Sequence, residues 1–393
     1  MPNDAGTIGV VGGGQLALML CEAGQARGIP VVVQSASDQD PAAASAQHQV
    51  IGTPTDAAAT ASLAGCCNGI TFENEWIAVE ALLRLERDGV SFKPSIQSLK
   101  PLVNKLSQRR LLNELALPSP DWVGLDEIDR KTLELPDDWR FPVMAKAAHG
   151  GYDGKGTRVI KDRVALSELL SSVMTKDWLL EAWVPYDREL ALVVSRDQQG
   201  RIRSFPLVET HQSSQVCDWV LAPAPAEQLL EATAYNVAAS LLTHLNYVGV
   251  MALEFFYGPQ GLMVNEVAPR THNSGHFSIE ACSSSQFDQQ LCITAGLPVP
   301  STELVAAGAL MVNLLGLGPD AEFSLDERLS ALQAIPDAHL HWYGKEEMPA
   351  RKVGHVTVLL QQPDADGRDG EAREVLKRIR SVWPNPLNSR RTP

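Results

Sequence analysis

The sequence has no apolar run near the roughly 18 residues that cross a bilayer, so no membrane span is expected. No basic segment precedes an apolar one in MPNDAGTIGVVGGG, so no secretory signal is expected either. The six cysteines, Cys21, Cys66, Cys67, Cys217, Cys282 and Cys292, form no C-x-x-C pair. They read as reduced intracellular thiols, and a zinc site is not expected. Positive charge is scarce: the net charge is −14, which argues against non-specific nucleic-acid binding. The G-x-x-x-x-G-K-[ST] order of a Walker A loop is absent. What is present is an ordinary soluble composition, 45% apolar and 20% charged. Its 393 residues suffice for about two to three domains of roughly 100–200 residues.

The chain opens with a short β-branched run, Thr7 to Val11, then Gly12-Gly13-Gly14, a helical pattern through Leu16, Met19, Leu20 and Ala23, and a strand at Val31–Val33. This is a βαβ unit whose helix N-terminus can receive an anion. Gly12-x-Gly14-x-x-Ala17 nearly fits a dinucleotide fingerprint, but Gln34 and Ser35 stand where an acidic residue is required. A tight turn or a different phosphate ligand fits better. Gly69 to Phe72 then reads as a strand running into Glu73-Asn74-Glu75. Two readings stand there: carboxylates at a strand C-terminus facing a ligand, or a helix start capped by Asn74.

Residues 77–87 and 101–116 have helical patterns; the second carries Lys105, Arg109 and Arg110. Such basic residues are either a solvated face or functional. Phe141 to Lys146 is a buried strand, followed by a loop with four glycines from Gly150 to Gly156 and a lysine, Lys155. Its amides can wrap phosphate, and Thr157–Ile160 returns as a strand, so the loop can act as a lid. Leu179 to Val184 and the run after Glu189 are strands able to read an adenine edge. Ser204 to Val208 is their expected partner, with Glu209 and His211 just beyond; a lone histidine of this kind is most simply structural. Residues 225–245 are an amphipathic helix.

Glu254 to His276 reads as a hairpin about Gly258–Gly261 followed by a polar loop after Pro269. Two carboxylates among so many polar groups suggest a cation, and Mg²⁺ held by one or two carboxylates plus phosphate oxygens fits. A plain four-residue loop pairs Glu254 with Asn265 and turns Glu266 to the opposite face. A metal shared by both acids therefore requires an odd register or a bulge. After His276 a helix with Ile279, Cys282 and Phe287 as core positions is expected. Residues 302–393 read as a smaller unit with a local basic cluster, Lys345, Arg351 and Lys352, and a tail from Gln362 that is partly disordered.

Together these motifs resemble the N5-carboxyaminoimidazole ribonucleotide synthetase family of ATP-grasp enzymes. The resemblance covers nearly everything from Ile8 to Val358. It rests on Gly-Gly-Gly-Gln15-Leu, Phe72-Glu73-Asn74, Gly-Gly-Tyr152-Asp-Gly-Lys155-Gly, Asn265-Glu-Val-Ala-Pro-Arg270, His272-Asn-Ser-Gly-His276, Tyr343-Gly-Lys345 and Arg351-Lys352-Val-Gly-His. It implies an α/β and α+β chain of three parts: a Rossmann-like pre-ATP-grasp domain at 1–100, an ATP-grasp unit at 101–300 with a lid at about 118–184, and a small C-terminal domain at 301–393. It implies that ATP, bicarbonate and 5-aminoimidazole ribonucleotide give ADP, phosphate and N5-carboxyaminoimidazole ribonucleotide through carboxyphosphate. A cytoplasmic homodimer using Mg²⁺ or Mn²⁺ goes with that activity.

The resemblance implies Arg270, Glu73, His272 and His276 as catalytic residues and Glu254 and Glu266 as metal ligands. For ATP it implies Lys105, Lys146, Gly151, Tyr152, Asp153, Gly154, Lys155, Gly156, Glu181, Ala182, Trp183, Val184, Glu189, His211, Asn265 and Glu266. For the ribonucleotide it implies Gln15, Asn74, Asn273, Ser274, Lys345, Arg351 and Lys352. Ala17-Leu18, His149 and the Gln-Ser-Ser-Gln-Val-Cys-Asp-Trp run after His211 depart from the family pattern. Ala268 replaces the metal-binding Asn of many other ATP-grasp enzymes but is normal in this family. Other readings are a formate-dependent transformylase of the same fold, a non-catalytic nucleotide-binding paralogue and, more distantly, an NAD oxidoreductase.

Overall fold

The computed structural model describes residues 6–150, 156–318 and 321–387. Strand β1, Ile8–Val11, is wholly buried, and Gly12–Gly14 turns the chain into helix α1, Gln15–Arg27. Gly28, left-handed at φ 67°, ends that helix because only glycine takes this conformation without strain. Strands β2, Val31–Ser35, and β3, His48–Ile51, follow; then α2, Ala57–Ala64, capped by the Asp56 side chain, and β4, Gly69–Phe72. The four strands make one parallel sheet in the order β3-β2-β1-β4. Helices α3, Val79–Arg87, α4, Ile96–Leu99, and α5, Lys105–Glu114, lead away from it. Asn74 caps no helix, since α3 begins only at Val79; the strand-end reading of Glu73-Asn74-Glu75 therefore holds.

A second, separate sheet holds β5, Trp122–Gly124, β6, Val143–Ala147, β7, Thr157–Ile160, and, after helix α6, Arg163–Ser172, strand β8, Trp178–Glu181. Its order is β5-β8-β6-β7, all antiparallel, with α6 packed against it through Leu166, Leu169 and Leu170. The expected return strand 157–160 is β7.

The third sheet is the largest, with nine strands. It receives β9, Arg188–Arg196, β10, Ile202–Ser204, β11, Val208–Ser213, and β12, Val216–Ala222. Helix α7, Gln228–His244, leads to the hairpin β13, Gly249–Gly258, and β14, Gly261–Ala268. Helices α8, Ser278–Ala281, and α9, Gln286–Ala295, precede β15, Gly308–Leu315; α10, Leu325–Gln333, β16, Ala338–Trp342, β17, Lys352–Leu360, and α11, Ala365–Val382, complete the chain. The order is β14-β13-β9-β11-β12-β15-β17-β16, with β10 beside β9.

Two expectations change. The partner of β9 is not one strand at 204–208 but two, β10 and β11, interrupted at Pro206, which has no N–H to give a ladder. Glu209 and His211 thus lie within β11. The small C-terminal unit shares the central sheet, because β15 pairs with β12 and extends it. Within the described residues the tail from Gln362 to 387 is structured: Asp364 caps α11, whose Ala372, Leu376 and Ile379 pack on Trp383 and the sheet. Gly367 and Gly370 disguise this helix in the sequence. The parallel sheet joins the rest through α1, which packs on α9; Phe287, Leu291 and Tyr343 enter its core, and Arg27 pairs with Asp288.

Candidate active site

The hairpin register decides the site. Gly258 pairs with Gly261, and the ladder runs regularly to Phe255 opposite Val264. There it shifts, and Glu254 faces Glu266 with Asn265 as the extra residue. The bulge required for two acids on one face is present. Like charges opposite one another repel. Burial, with the nearby carboxylates of Glu266 and Glu189, pushes the Glu254 carboxyl up to about 7. Burial also opposes ionisation of Glu266, but the Lys105 ammonium, 2.6 Å from its Oε1, and Lys146 together hold its carboxyl below the ordinary range.

Lys146, at the end of β6, donates to Glu181 Oε2 at 2.7 Å and to Asn265 Oδ1 at 2.9 Å. Burial lowers its pKa, an effect Glu181 only partly offsets. Glu181 is 2% exposed, and its other oxygen accepts from Arg109 Nε at 2.7 Å. The Glu181 carboxylate is thus consumed by cations, which leaves the backbone beyond it as the part able to meet a nucleobase. Ala182 and Val184 are half-buried there, and Trp183 is 45% exposed. Glu189 accepts from the Tyr186 hydroxyl at 2.8 Å, and burial raises its carboxyl. Tyr186 stacks on Phe256 with ring centroids 4.5 Å apart.

His211 is not brought into this group. Thr210 pairs with Glu189, so strand alternation turns His211 to the other face, where its ring stacks on Trp219 at 5.1 Å and lies 3.9 Å from Asp218. Gly151, Tyr152, Asp153, Gly154 and Lys155 lie outside the described residues. Gly156 is left-handed at φ 79°, and its carbonyl accepts from Ala147 N–H at 2.7 Å.

On the other side of the hairpin, Glu73 leaves the end of β4 and accepts the Gly14 N–H at 2.7 Å. A Cβ at Gly12 would come within 2.4 Å of its Oε2, and one at Gly14 within 2.2 Å of its Oε1. The glycines therefore make room for this carboxylate. The α1 N-terminus is not an open anion site, as the sequence suggested; Glu73 already serves it. Burial raises the Glu73 carboxyl, against the Gly14 hydrogen bond and the charges of Lys345 and Arg270. Lys345 donates to Gln15 Oε1 at 2.5 Å. Asn74 Oδ1 accepts from Trp76 N–H at 3.0 Å and so shapes the turn. Arg270 Nε donates to Glu75 Oε2 at 2.6 Å, with Nη2 3.4 Å from Oε1.

In the polar loop, His272 Nε2 stands 3.7 Å from Glu254 Oε1, and its Nδ1 meets Ser274 Oγ at 2.9 Å. Burial, then Arg270 and Lys352, push its pKa down to about 3, so the ring is neutral. His276 does not reach the cleft. It is wholly buried, packed against Phe287 and 4.9 Å from the His355 ring, with Nδ1 near Gln286. The ring expected to be catalytic thus lies inside the loop in this structure. Asn273 likewise turns inward: it exchanges hydrogen bonds with Asn313 at 2.9 and 2.8 Å. Ser274 is 1% exposed and faces His272 rather than the open cleft. Lys352, opening β17, bears on Glu254 and His272. Arg351 is exposed, with Nη1 3.9 Å from the Met348 sulfur.

Gln108 was not singled out by the sequence. Glu75 was visible as the last residue of Glu-Asn-Glu, and Arg109 as one of three basic residues on a helix, either a solvated face or functional. A small cleft runs beside them, lined by Glu75, Trp76, Lys105, Gln108, His149 and Glu266. Among the described residues, no three His, Cys, Asp or Glu side chains form a metal cage. Glu254 and Glu266 nonetheless fit a hard divalent cation. They offer only oxygen, and their repulsion would be relieved by positive charge; ligand oxygens would complete the shell.

Three family models match in order: the ribonucleotide synthetase preATP-grasp domain at residues 5–101, the ATP-grasp domain at 110–287 and the phosphoribosylaminoimidazole carboxylase C-terminal domain at 309–366. The N5-carboxyaminoimidazole ribonucleotide synthase of Synechococcus elongatus is 45% identical over 380 residues, 96% of each chain. The chain belongs to the N5-carboxyaminoimidazole ribonucleotide synthase family. Among solved structures, the Thermus thermophilus synthetase superposes with a TM-score of 0.82 at 32% identity, covering 96% of this chain and 98% of that one. The Aspergillus clavatus synthase in complex with ADP and 5-aminoimidazole ribonucleotide gives 0.85 at 28% identity, covering 96% and 99%. With family membership go the α/β and α+β architecture and the ATP-grasp ligase class.

Proposed function

We propose that this chain carboxylates 5-aminoimidazole ribonucleotide with ATP and bicarbonate, giving N5-carboxyaminoimidazole ribonucleotide, ADP and phosphate. A bicarbonate oxygen attacks the γ-phosphorus and the bond to ADP breaks, forming carboxyphosphate. The substrate amine then attacks the carboxyl carbon; phosphate leaves and the nitrogen loses a proton. The observation that carries this reading is the β14 bulge, which sets Glu254 and Glu266 side by side between a cationic group and a polar loop.

In this reading Lys105 and Lys146 neutralise the phosphates, and Glu181 holds Lys146 in place. Glu254 and Glu266 would hold Mg²⁺, which would supply charge neutralisation for phosphoryl transfer when bound. Ala182 to Val184 and Glu189 take adenine and ribose. Arg270, oriented by Glu75, meets the charge of the transferring phosphoryl group. Neutral His272 donates or accepts a hydrogen bond without adding charge. Glu73 is the group suited to the amine proton, because burial raises its carboxyl beside Lys345 and Gln15. Lys345, Arg351 and Lys352 serve the ribose phosphate.

A cytoplasmic homodimer accompanies the reading. Light scattering of the purified chain tests the dimer. The activity test is ADP release with bicarbonate and 5-aminoimidazole ribonucleotide omitted in turn. Formate replacing bicarbonate separates the carboxylase from a transformylase.

A further inference from the structure

A bulge leaves backbone groups without ladder partners, and β14 is an edge strand whose outer side must be covered. Helix α5 covers it with two consecutive residues. Arg109 Nη1 donates to Val264 O at 3.1 Å and Nη2 to Asn265 O at 2.7 Å. Gln108 Nε2 donates to Val267 O at 2.9 Å, and its Oε1 accepts Val267 N–H at 3.3 Å. Both side chains are buried, at 3% and 6% exposure.

The spacing of these contacts is informative. In a regular strand, outward backbone groups recur every second residue. Here Val264 and Val267, three apart, both face outward, with Val264 N–H also bonded to Pro118 O at 2.8 Å. Only the bulged register brings both to α5; an unbulged β14 would present Glu266 to Gln108. Arg109 is also more than a counterion for Glu181. Its Nε and Nη2 meet Glu181 Oε1 at 2.7 and 2.6 Å, and Nη1 and Nη2 reach the β14 carbonyls as well, so one guanidinium ties that carboxylate to the bulge.

We propose that Gln108 and Arg109 are positioning residues that lock the β14 bulge and thereby keep Glu254 and Glu266 on one face. The proposal rests on the functional reading above in taking that pair as the cation site. A lysine at 109 keeps the charge beside Glu181 but cannot span two carbonyls, because it lacks the planar fork. A methionine at 108 removes the Val267 clamp without stranding a charge.

The test is Mn²⁺ titration of the ADP complex of the full-length protein by electron paramagnetic resonance, on the parent, Arg109→Lys and Gln108→Met, with KM values alongside. Mn²⁺ affinity is expected to fall about 10- to 100-fold in Arg109→Lys, as for other groups that orient metal ligands, and in the same direction in Gln108→Met. The KM for 5-aminoimidazole ribonucleotide stays within about twofold of the parent. Parent-like Mn²⁺ affinity in whichever variants fold overturns the proposal, and so does an equal rise in that KM, which marks general loosening. If Arg109→Lys does not fold, Gln108→Met decides; if neither folds, α5 is a brace only and the proposal fails. A parent that binds no Mn²⁺ with ADP overturns the functional reading as well, which distinguishes the two failures.

Discussion

Replacing Glu254 by Gln is expected to destroy activity and, without metal and nucleotide, to make the protein more stable. The Glu254 carboxyl faces Glu266 on β14 and Glu189 on β9; Lys105 and Lys352 offset them only in part, and His272 beside it is neutral. Its pKa rises from 4.5 to about 7. The group's folded value lies above its unfolded value, so ionisation costs stability. The cost is absent near pH 4, grows as pH rises toward 7 and is complete above it. At about 1.36 kcal/mol per pKa unit the full cost is about 3 kcal/mol, and relaxation of the side chains brings the expected gain in Glu254→Gln to about 1–3 kcal/mol at pH 8. Thermal melts in EDTA without nucleotide should show the variant melting higher at pH 8, by about 2–4 °C per kcal/mol in a unit of this size, and equal to the parent near pH 4.5. A variant no more stable than the parent at pH 8, or equally stabilised at both pH values, would refute the reasoning. Activity sacrificed for stability at such a pair is the expected trade.

Arg270→Lys loses the two-armed contact with Glu75, and kcat is expected to fall about 10²- to 10³-fold with the ATP KM little changed, read by steady-state kinetics. Glu73→Gln can still accept the Gly14 N–H through its amide oxygen, so folding persists while kcat falls by about 10²-fold or more, checked by circular dichroism and ADP release. His211→Ala, on the far face of the sheet from Glu189, leaves the ATP KM within about twofold; a tenfold rise would return His211 to the nucleotide site.

The order of the elements was readable because glycines and prolines punctuate this chain and its strands are strongly apolar. Glu254, Glu266 and Lys146 stood out because charged groups on apolar strands are costly without a charged partner; Lys105 was one of three basic residues on a helix and was left open. The direction in which His276 and Asn273 point was not readable: a loop dense in polar residues does not reveal which of them turn inward to Gln286 and Asn313. Which of Lys105, Arg109 and Arg110 acts was not readable, because the partners of Arg109, Glu181 and two backbone carbonyls, lie 72, 155 and 156 residues away and leave no local pattern. The bulge itself was stated only as a requirement, since loop length alone allows either register. Helix α11 was missed because Gly367 and Gly370 mask the Ala372, Leu376 and Ile379 stripe.

The most direct measurement is ADP release by the purified protein with ATP and Mg²⁺, with bicarbonate and 5-aminoimidazole ribonucleotide each present or withheld. Release that needs both, with N5-carboxyaminoimidazole ribonucleotide formed in equal amount, is the predicted result. ADP release indifferent to either compound, or sustained by formate in place of bicarbonate, contradicts the account.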